Sequence, residues 1–230
     1  MRRIVVPKDP PRSDALNEVD PKAAYATVQT LPPRERALLA TCLLAGMRPS
    51  EVQALRRCDV DQENGRINVT RGYSGTTLTT PKTAAGIRRV GLLDSLSAEI
   101  RIWREWVTEH RDARWLEEEA LIFAREGDPH TPVTRLTIAQ MAKRHVSLEE
   151  WEAIKPRSGR HLWVSANIAG GVDLVESMRS TGHTSPKVHL DTYGRQVAGK
   201  SAAVRDARSS HSSCETRAGT SQSLRRSLLW

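Results

Sequence analysis

Cysteine is scarce in this chain and poorly placed for joint work: Cys42, Cys58 and Cys214 form no CxxC pair and leave an odd count. That pattern argues against a zinc site and against a disulfide framework, and it fits a reducing cytoplasm. Long apolar runs are also missing. The start, MRRIVVPKDPP, offers only Ile4, Val5 and Val6 before Pro7, far short of a signal-peptide core. The longest apolar stretch, Ala37 to Met47, is bounded by Arg36 and Arg48. It is about half of what a membrane span requires, so it reads as a core helix and the chain as having no membrane attachment. Negative charge is the minority: 27 Asp and Glu stand against 35 Lys and Arg, a formal net charge of +8. Anionic partners are favoured, nucleic acid first.

What is present begins with a proline-rich, charged stretch from Met1 to Asp20, read as a flexible arm or linker stub in which Arg2, Arg3 and Lys8 can touch DNA. From Pro21, PKAAYATVQTL predicts a short helix with Ala24, Val28 and Leu31 inward. The Pro32-Pro33 pair starts the next helix, RERALLATCLLAG, and Gly46 suits its left-handed cap. In GMRPSEVQALR, Pro49 belongs in a first turn, which places Arg48 at the helix start and Glu51 near enough to orient it or cap the helix. From Arg66 the period becomes alternating. RINVTRGY reads as a strand, LTTPKTAAGI as a strand running into a turn with Lys82 at its tip, and IRRVGL as the return, which together predict a small antiparallel sheet. Asp94 to Trp115 then reads as one long helix with Leu96, Ile100, Trp103 and Val107 along a stripe, and Trp103, Trp106, Trp115 and Trp151 as core. A strand-like ALIFA, the loop REGDPHTPVTR and a helix from Leu136 to about His145 follow.

The stretch Lys155 to Arg195 organises the chemistry. It predicts a helix beginning near Arg160 and ending at Gly170-Gly171, a second helix capped by a box of Asp173 with Glu176 and closed by Gly182, and a short third helix started by Ser185-Pro186 and carrying Tyr193. Arg160, His183 and Tyr193 thus stand on consecutive small elements, a phenol with cationic partners that suggests phosphodiester chemistry.

Arg48 in GMRPSEVQALR, Lys82 in TPKTAAGIRRVGL, Arg160 in IKPRSGRHL, His183 in STGHTSP and Tyr193 in LDTYG occur in the order, and at about the intervals, of the tyrosine recombinase (phage integrase) catalytic domain. The chain resembles that family from roughly Pro21 to Gly194. The resemblance implies a mainly α fold with a small antiparallel β-sheet (α+β), a catalytic domain over 21–193, and site-specific DNA recombination or integration through a 3′-phosphotyrosine, without metal or other cofactor. It makes Tyr193 the nucleophile and Lys82 the general acid for the leaving 5′-oxygen. Arg48 and Arg160 become bidentate phosphate ligands, His183 a phosphate hydrogen-bond donor and Glu51 a support for Arg48. Expected partners are double-stranded DNA, further copies of the chain in a tetrameric synapse, and an accessory DNA-bending or directionality protein. The place of action would be the cytoplasm, at the nucleoid.

The pattern departs from the family in three places. The family usually writes HxxR where this chain has Arg157, and an arginine cannot accept a phenolic proton, although it can bind phosphate and stabilise phenolate. His161 is the nearby imidazole available to substitute. Thr181, preceded by Ser180, replaces an apolar residue before the Gly-His turn, which predicts a poorly seated helix. Finally, an N-terminal core-binding domain finds no room before Pro21, and 194–230 reads as a disordered, basic Ser/Arg-rich tail, which leaves open an incomplete gene, a prophage remnant or a frameshifted end with impaired turnover. Two other readings compete: a non-catalytic DNA-binding remnant of an integrase, and a helix-turn-helix regulator built on Leu162 to Tyr193.

Overall fold

The computed structural model describes residues 19–80 and 86–182. The arm before Val19, Lys82, His183, the helix expected to carry Tyr193, Cys214 and the tail lie outside those residues.

Helix α1 (Pro21–Gln29) starts on Asp20, whose carboxylate accepts the Lys22 amide at 3.0 Å. Ala24, Val28 and Leu31 are buried, as the 3.6 period requires. Helix α2 (Pro33–Leu44) is the centre of the molecule, touching α1, α3 (Pro49–Gln53), α4 (Asp94–His110), α5 (Arg135–Ala142) and α7 (Pro156–Gly170). Every residue from Ala37 to Leu43 is buried. A helix apolar on all sides has nowhere to go but the core, and its one hydroxyl there, on Thr41, is satisfied by the Ala37 carbonyl at 2.7 Å. The α2–α7 contact is close because Gly159 has no side chain: a Cβ there would stand 3.2 to 3.3 Å from the backbone of Cys42 and Leu43.

The β-structure is more divided than the single sheet expected. Strands β1 (Val60–Asp61), β2 (Arg66–Val69) and β5 (Arg88–Gly91) form one antiparallel sheet in the order β1-β2-β5, with Ile67 opposite Val90. Strands β3 (Gly72–Ser74) and β4 (Thr77–Thr79) form a separate hairpin. The run RINVTRGY therefore breaks at Thr70-Arg71. Continued alternation would put Arg71 on the face of Ile67 and Val69. Its guanidinium instead turns back to the buried carboxylate of Asp59 at 3.1 Å, and the chain leaves the sheet with it. The return strand consequently pairs with β2 and not with β4.

Helix α4 carries the expected buried stripe of Leu96, Ile100, Trp103 and Val107, but it ends at His110. Arg111 is extended, with its guanidinium over the rings of Trp106 and Trp115, and Asp112 caps a separate 3-10 turn over Ala113–Leu116. Trp103, Trp115 and Trp151 are buried, and Trp106 packs partly against the core. ALIFA is not a strand. All five residues are buried, and their backbone groups go elsewhere: the Ile122 amide to the Leu55 carbonyl, the Phe123 carbonyl to the Val133 amide. Leu121 makes an isolated bridge to Arg56, and strand pairing begins only at the last residue of ALIFA, where β6 (Ala124–Arg125) and β7 (Asp128–Pro132) form a hairpin that runs into the expected loop.

Helices α5 and α7 pack on α2, and α6 (Leu148–Ile154) packs on α1 and α7. A Ser147/Glu150 capping box starts α6, and Lys155 serves both as its end and as the start of α7. Helix α7 thus begins at Pro156, a turn earlier than expected, and ends on left-handed Gly171. Helix α8 (Leu174–Thr181) starts on Asp173, whose carboxylate accepts the Val175 amide at 2.8 Å. Glu176 does not complete a box; it lies 3.8 Å from Arg179.

Candidate active site

The site is built from the ends of helices. Helix α2 ends in Ala45 and Gly46, and Gly46 takes φ +59°. That conformation strains any residue with a side chain, and a Cβ here would also stand 2.6 Å from the ring of Trp163 on α7. The reversal delivers Arg48 to the start of α3. Pro49 occupies the first turn, and the Glu51 carboxylate accepts the Arg48 amide at 2.7 Å and the Arg48 Nη1 at 2.8 Å. Glu51 performs both tasks assigned to it: it caps the helix and it orients the arginine.

Three guanidinium groups then meet the last turn of α8. Arg88 donates from Nε to the Ser180 carbonyl at 2.8 Å, Arg160 from Nη2 to Thr181 at 2.7 Å, and Arg48 from Nη2 to Gly182 at 3.1 Å. A helix C-terminus carries unsatisfied carbonyls and the negative end of the macrodipole, so cations belong there. Arg160 is buried and also donates from Nη1 to the Gly46 carbonyl at 2.6 Å, which ties α7 to the end of α2. Gly182, at φ +67°, closes α8 in the left-handed cap expected of it.

Thr181 reverses an expectation. It is wholly buried, and its hydroxyl donates within its own helix to the Ser177 and Met178 carbonyls at 2.8 and 3.1 Å. Ser177 and Thr181 make a buried polar strip on α8, and three arginines hold the end of the helix.

Electrostatics follow from this packing. Burial alone would raise the Glu51 carboxyl, but the Arg88 hydrogen bonds and charge, then the Arg48 amide and guanidinium, outweigh it and hold the pKa at about 2. Burial and the nearby Glu51 charge push the Cys42 thiol up to about 12, with Arg160 opposing. His161, half-buried one turn after Arg157, is lowered by burial, then by Arg157 and Arg160, which favours the neutral imidazole. Arg157 itself is exposed on the first turn of α7.

Of the residues singled out in the sequence, the structure brings Arg48, Glu51 and Arg160 together, and places Arg157 and His161 on the same helix as Arg160. Lys82, His183 and Tyr193 lie outside the described residues. Arg88 is the member that sequence reasoning missed. Its signal was the period of β5: Arg88 shares a strand face with Val90, and an arginine at an inward position needs a buried partner.

Residues 15–197 match the phage integrase family. The chain belongs to that family. The ICEBs1 integrase of Bacillus subtilis (strain 168) is 26% identical to it over 187 residues, 77% of this chain and 50% of that protein. The chain therefore spans about half the length of this curated relative. Among solved structures, XerA recombinase superposes with a TM-score of 0.62 at 17% identity, covering 87% of this chain and 67% of that one. The Tn1549 transposon integrase, solved in complex with transposon right end DNA, gives a TM-score of 0.58 at 16% identity, covering 84% of this chain and 64% of that one. The fold of this phage integrase chain is that of the tyrosine recombinase catalytic domain, mostly helical with small antiparallel sheets. Among the described residues, no helix is long and apolar enough to cross a membrane.

Proposed function

We propose that this chain is a tyrosine recombinase catalytic domain that cuts and rejoins double-stranded DNA by transesterification. The observation that carries the reading is the meeting of Arg48 and Arg160. They come from helix ends far apart in the chain and direct planar donors to the adjacent carbonyls of Thr181 and Gly182. The chain leaves this point directly into His183. Two guanidiniums held in this way are suited to the non-bridging oxygens of a phosphodiester, where phosphoryl transfer needs positioning and charge.

In this reading the Tyr193 phenolate attacks the scissile phosphorus, and the P–O bond to the 5′-oxygen breaks as the phosphotyrosine bond forms. Lys82 protonates the departing 5′-oxygen, and His183 hydrogen-bonds the phosphate. Arg157 adds positive charge near the phosphate and phenolate. Among the described residues His161 is the candidate for taking the phenolic proton, since burial and the Arg157 and Arg160 charges favour its neutral form. Attack by a 5′-hydroxyl from a second DNA end reverses the chemistry, and a synapse of four chains with an accessory DNA-bending protein would bring those ends together.

The test is covalent trapping. Incubation with nicked suicide duplexes tiled across the DNA flanking the gene should give a protein–DNA adduct on a denaturing gel, and Tyr193→Phe should abolish it. No adduct on any duplex, with salt-dependent DNA binding retained, would replace this reading with that of a binding-only remnant.

A further inference from the structure

Arg88 lies in the TPKTAAGIRRVGL stretch but has no role in the expectations drawn from it, and its guanidinium is fully engaged within the cluster. Its side chain is 6% exposed, against 35% for Arg48. From one planar group, Nη1 and Nη2 reach the two oxygens of Glu51 at 2.9 and 2.8 Å, and Nε reaches the Ser180 carbonyl at 2.8 Å. Glu51 Oε1 accepts from Arg48 Nη1 and Arg88 Nη1, while Oε2 accepts from the Arg48 amide and Arg88 Nη2. An ionised carboxylate has about four lone-pair sites, and here two arginines fill them all.

We infer that Arg88 is a positioning residue for strand cleavage: it braces Glu51 against the end of α8, and so fixes the direction in which Arg48 is presented to the phosphate. The inference rests on the recombinase reading above. Without Arg88, half of the Glu51 acceptor sites lose their donors in a place closed to water. The carboxylate must then rotate or take up a proton, and either change releases Arg48. A lysine cannot replace this brace fully, because a point charge has no fork to span both oxygens and a carbonyl.

The groups facing Glu51 make its ionisation a readout of the brace. Arg48 approaches from its own turn, Arg88 from β5 and the neutral Cys42 thiol from α2, with the Arg160 charge acting on the same thiol from α7. Removing Arg88 takes away the largest opposition to burial and leaves desolvation to push the carboxyl upward.

The experiment uses the full chain labelled with carboxyl-13C glutamate, the Glu51 resonance being assigned by its loss in Glu51→Gln, alongside the adduct assay on the tiled nicked duplexes. In the wild type the Glu51 resonance should stay flat from about pH 4 to 7. In Arg88→Gln it should titrate inside that window, with adduct formation down on the order of a hundredfold and non-covalent DNA binding changed only a few-fold. Arg88→Lys should be intermediate in both readouts. Wild-type adduct rates with an unmoved Glu51 resonance in folded Arg88→Gln, or in Arg88→Lys where the glutamine variant does not fold, would overturn the inference. If the wild type itself forms no adduct, the strand-cleavage reading fails, and the Glu51 resonance still decides whether Arg88 braces Glu51.

Discussion

The ring of Trp163 packs directly onto Gly46, so closely that a Cβ on the glycine would lie 2.6 Å from two ring carbons. The same glycine sits at φ +59° and offers its carbonyl to Arg160 at 2.6 Å. One residue therefore meets a conformational, a steric and a hydrogen-bonding demand at once. Gly46→Ala should cost about 1 to 2 kcal/mol from the left-handed backbone alone. The collision with Trp163 should bring the total to about 2 to 4 kcal/mol. Urea unfolding followed by circular dichroism measures this as a lower midpoint with unchanged slope. Because Arg160 is anchored on the displaced carbonyl, adduct formation should fall more than stability predicts.

Glu51 makes stability depend on acid. Its carboxyl is depressed in the folded state from 4.5 to about 2, so its contribution is fully present above the unfolded value and is lost as pH falls through the folded one. The depression corresponds to about 3 kcal/mol. The gap in unfolding free energy between wild type and Glu51→Gln should be constant above about pH 5.5 and shrink by roughly half near pH 3. Denaturant titrations at four or five pH values test this; a gap independent of pH would show that the ion pairs are not what Glu51 contributes.

Thr181 tests how α8 is seated. Its hydroxyl is satisfied inside its own helix and the residue is wholly buried. Thr181→Val should change stability by less than about 1 kcal/mol, since an isosteric apolar group replaces a hydroxyl whose acceptors keep their helical partners. Thr181→Leu should destabilise by about 1 to 3 kcal/mol through overpacking. A stabilising leucine would mean that the position retains room for the apolar residue expected there, and that the three arginines are not what holds the helix.

Helices α1 and α2, the stripe of α4, and the pairing of Arg48 with Glu51 were legible in the sequence because local period and cap chemistry determine them. Arg71 was not: whether a strand continues or turns away was settled by Asp59, twelve positions upstream and buried. Arg88 was hidden for a related reason. An arginine at an inward strand position looks like a period error until its carboxylate, on a distant helix, is in place. Thr181 looked like a lost core contact because sequence shows only that an apolar residue is missing, and not that arginine donors on α7, β5 and the α3 turn hold the helix end in its stead.

Arg157 separates folding from chemistry. It is exposed on the first turn of α7, so Arg157→His should change stability by no more than about 0.5 kcal/mol. Its effect on the site should be larger. Arginine stays charged and accepts no proton, whereas a histidine there has an ordinary pKa of about 6.5 and is mostly neutral at pH 7.5. General-base help of that kind is worth about a hundredfold or more, so the adduct rate should rise above pH 7 and fall away as the new imidazole protonates below about pH 6. The substitution also removes, at neutral pH, one of the two cations that lower His161. The His161 ring resonance should therefore titrate at higher pH than in the wild type, which proton NMR can follow independently of DNA. A faster adduct together with that shift would make Arg157 the residue that limits turnover. A slower adduct with the shift present would instead make its charge part of the phosphate site, and His161 the better candidate for taking the phenolic proton.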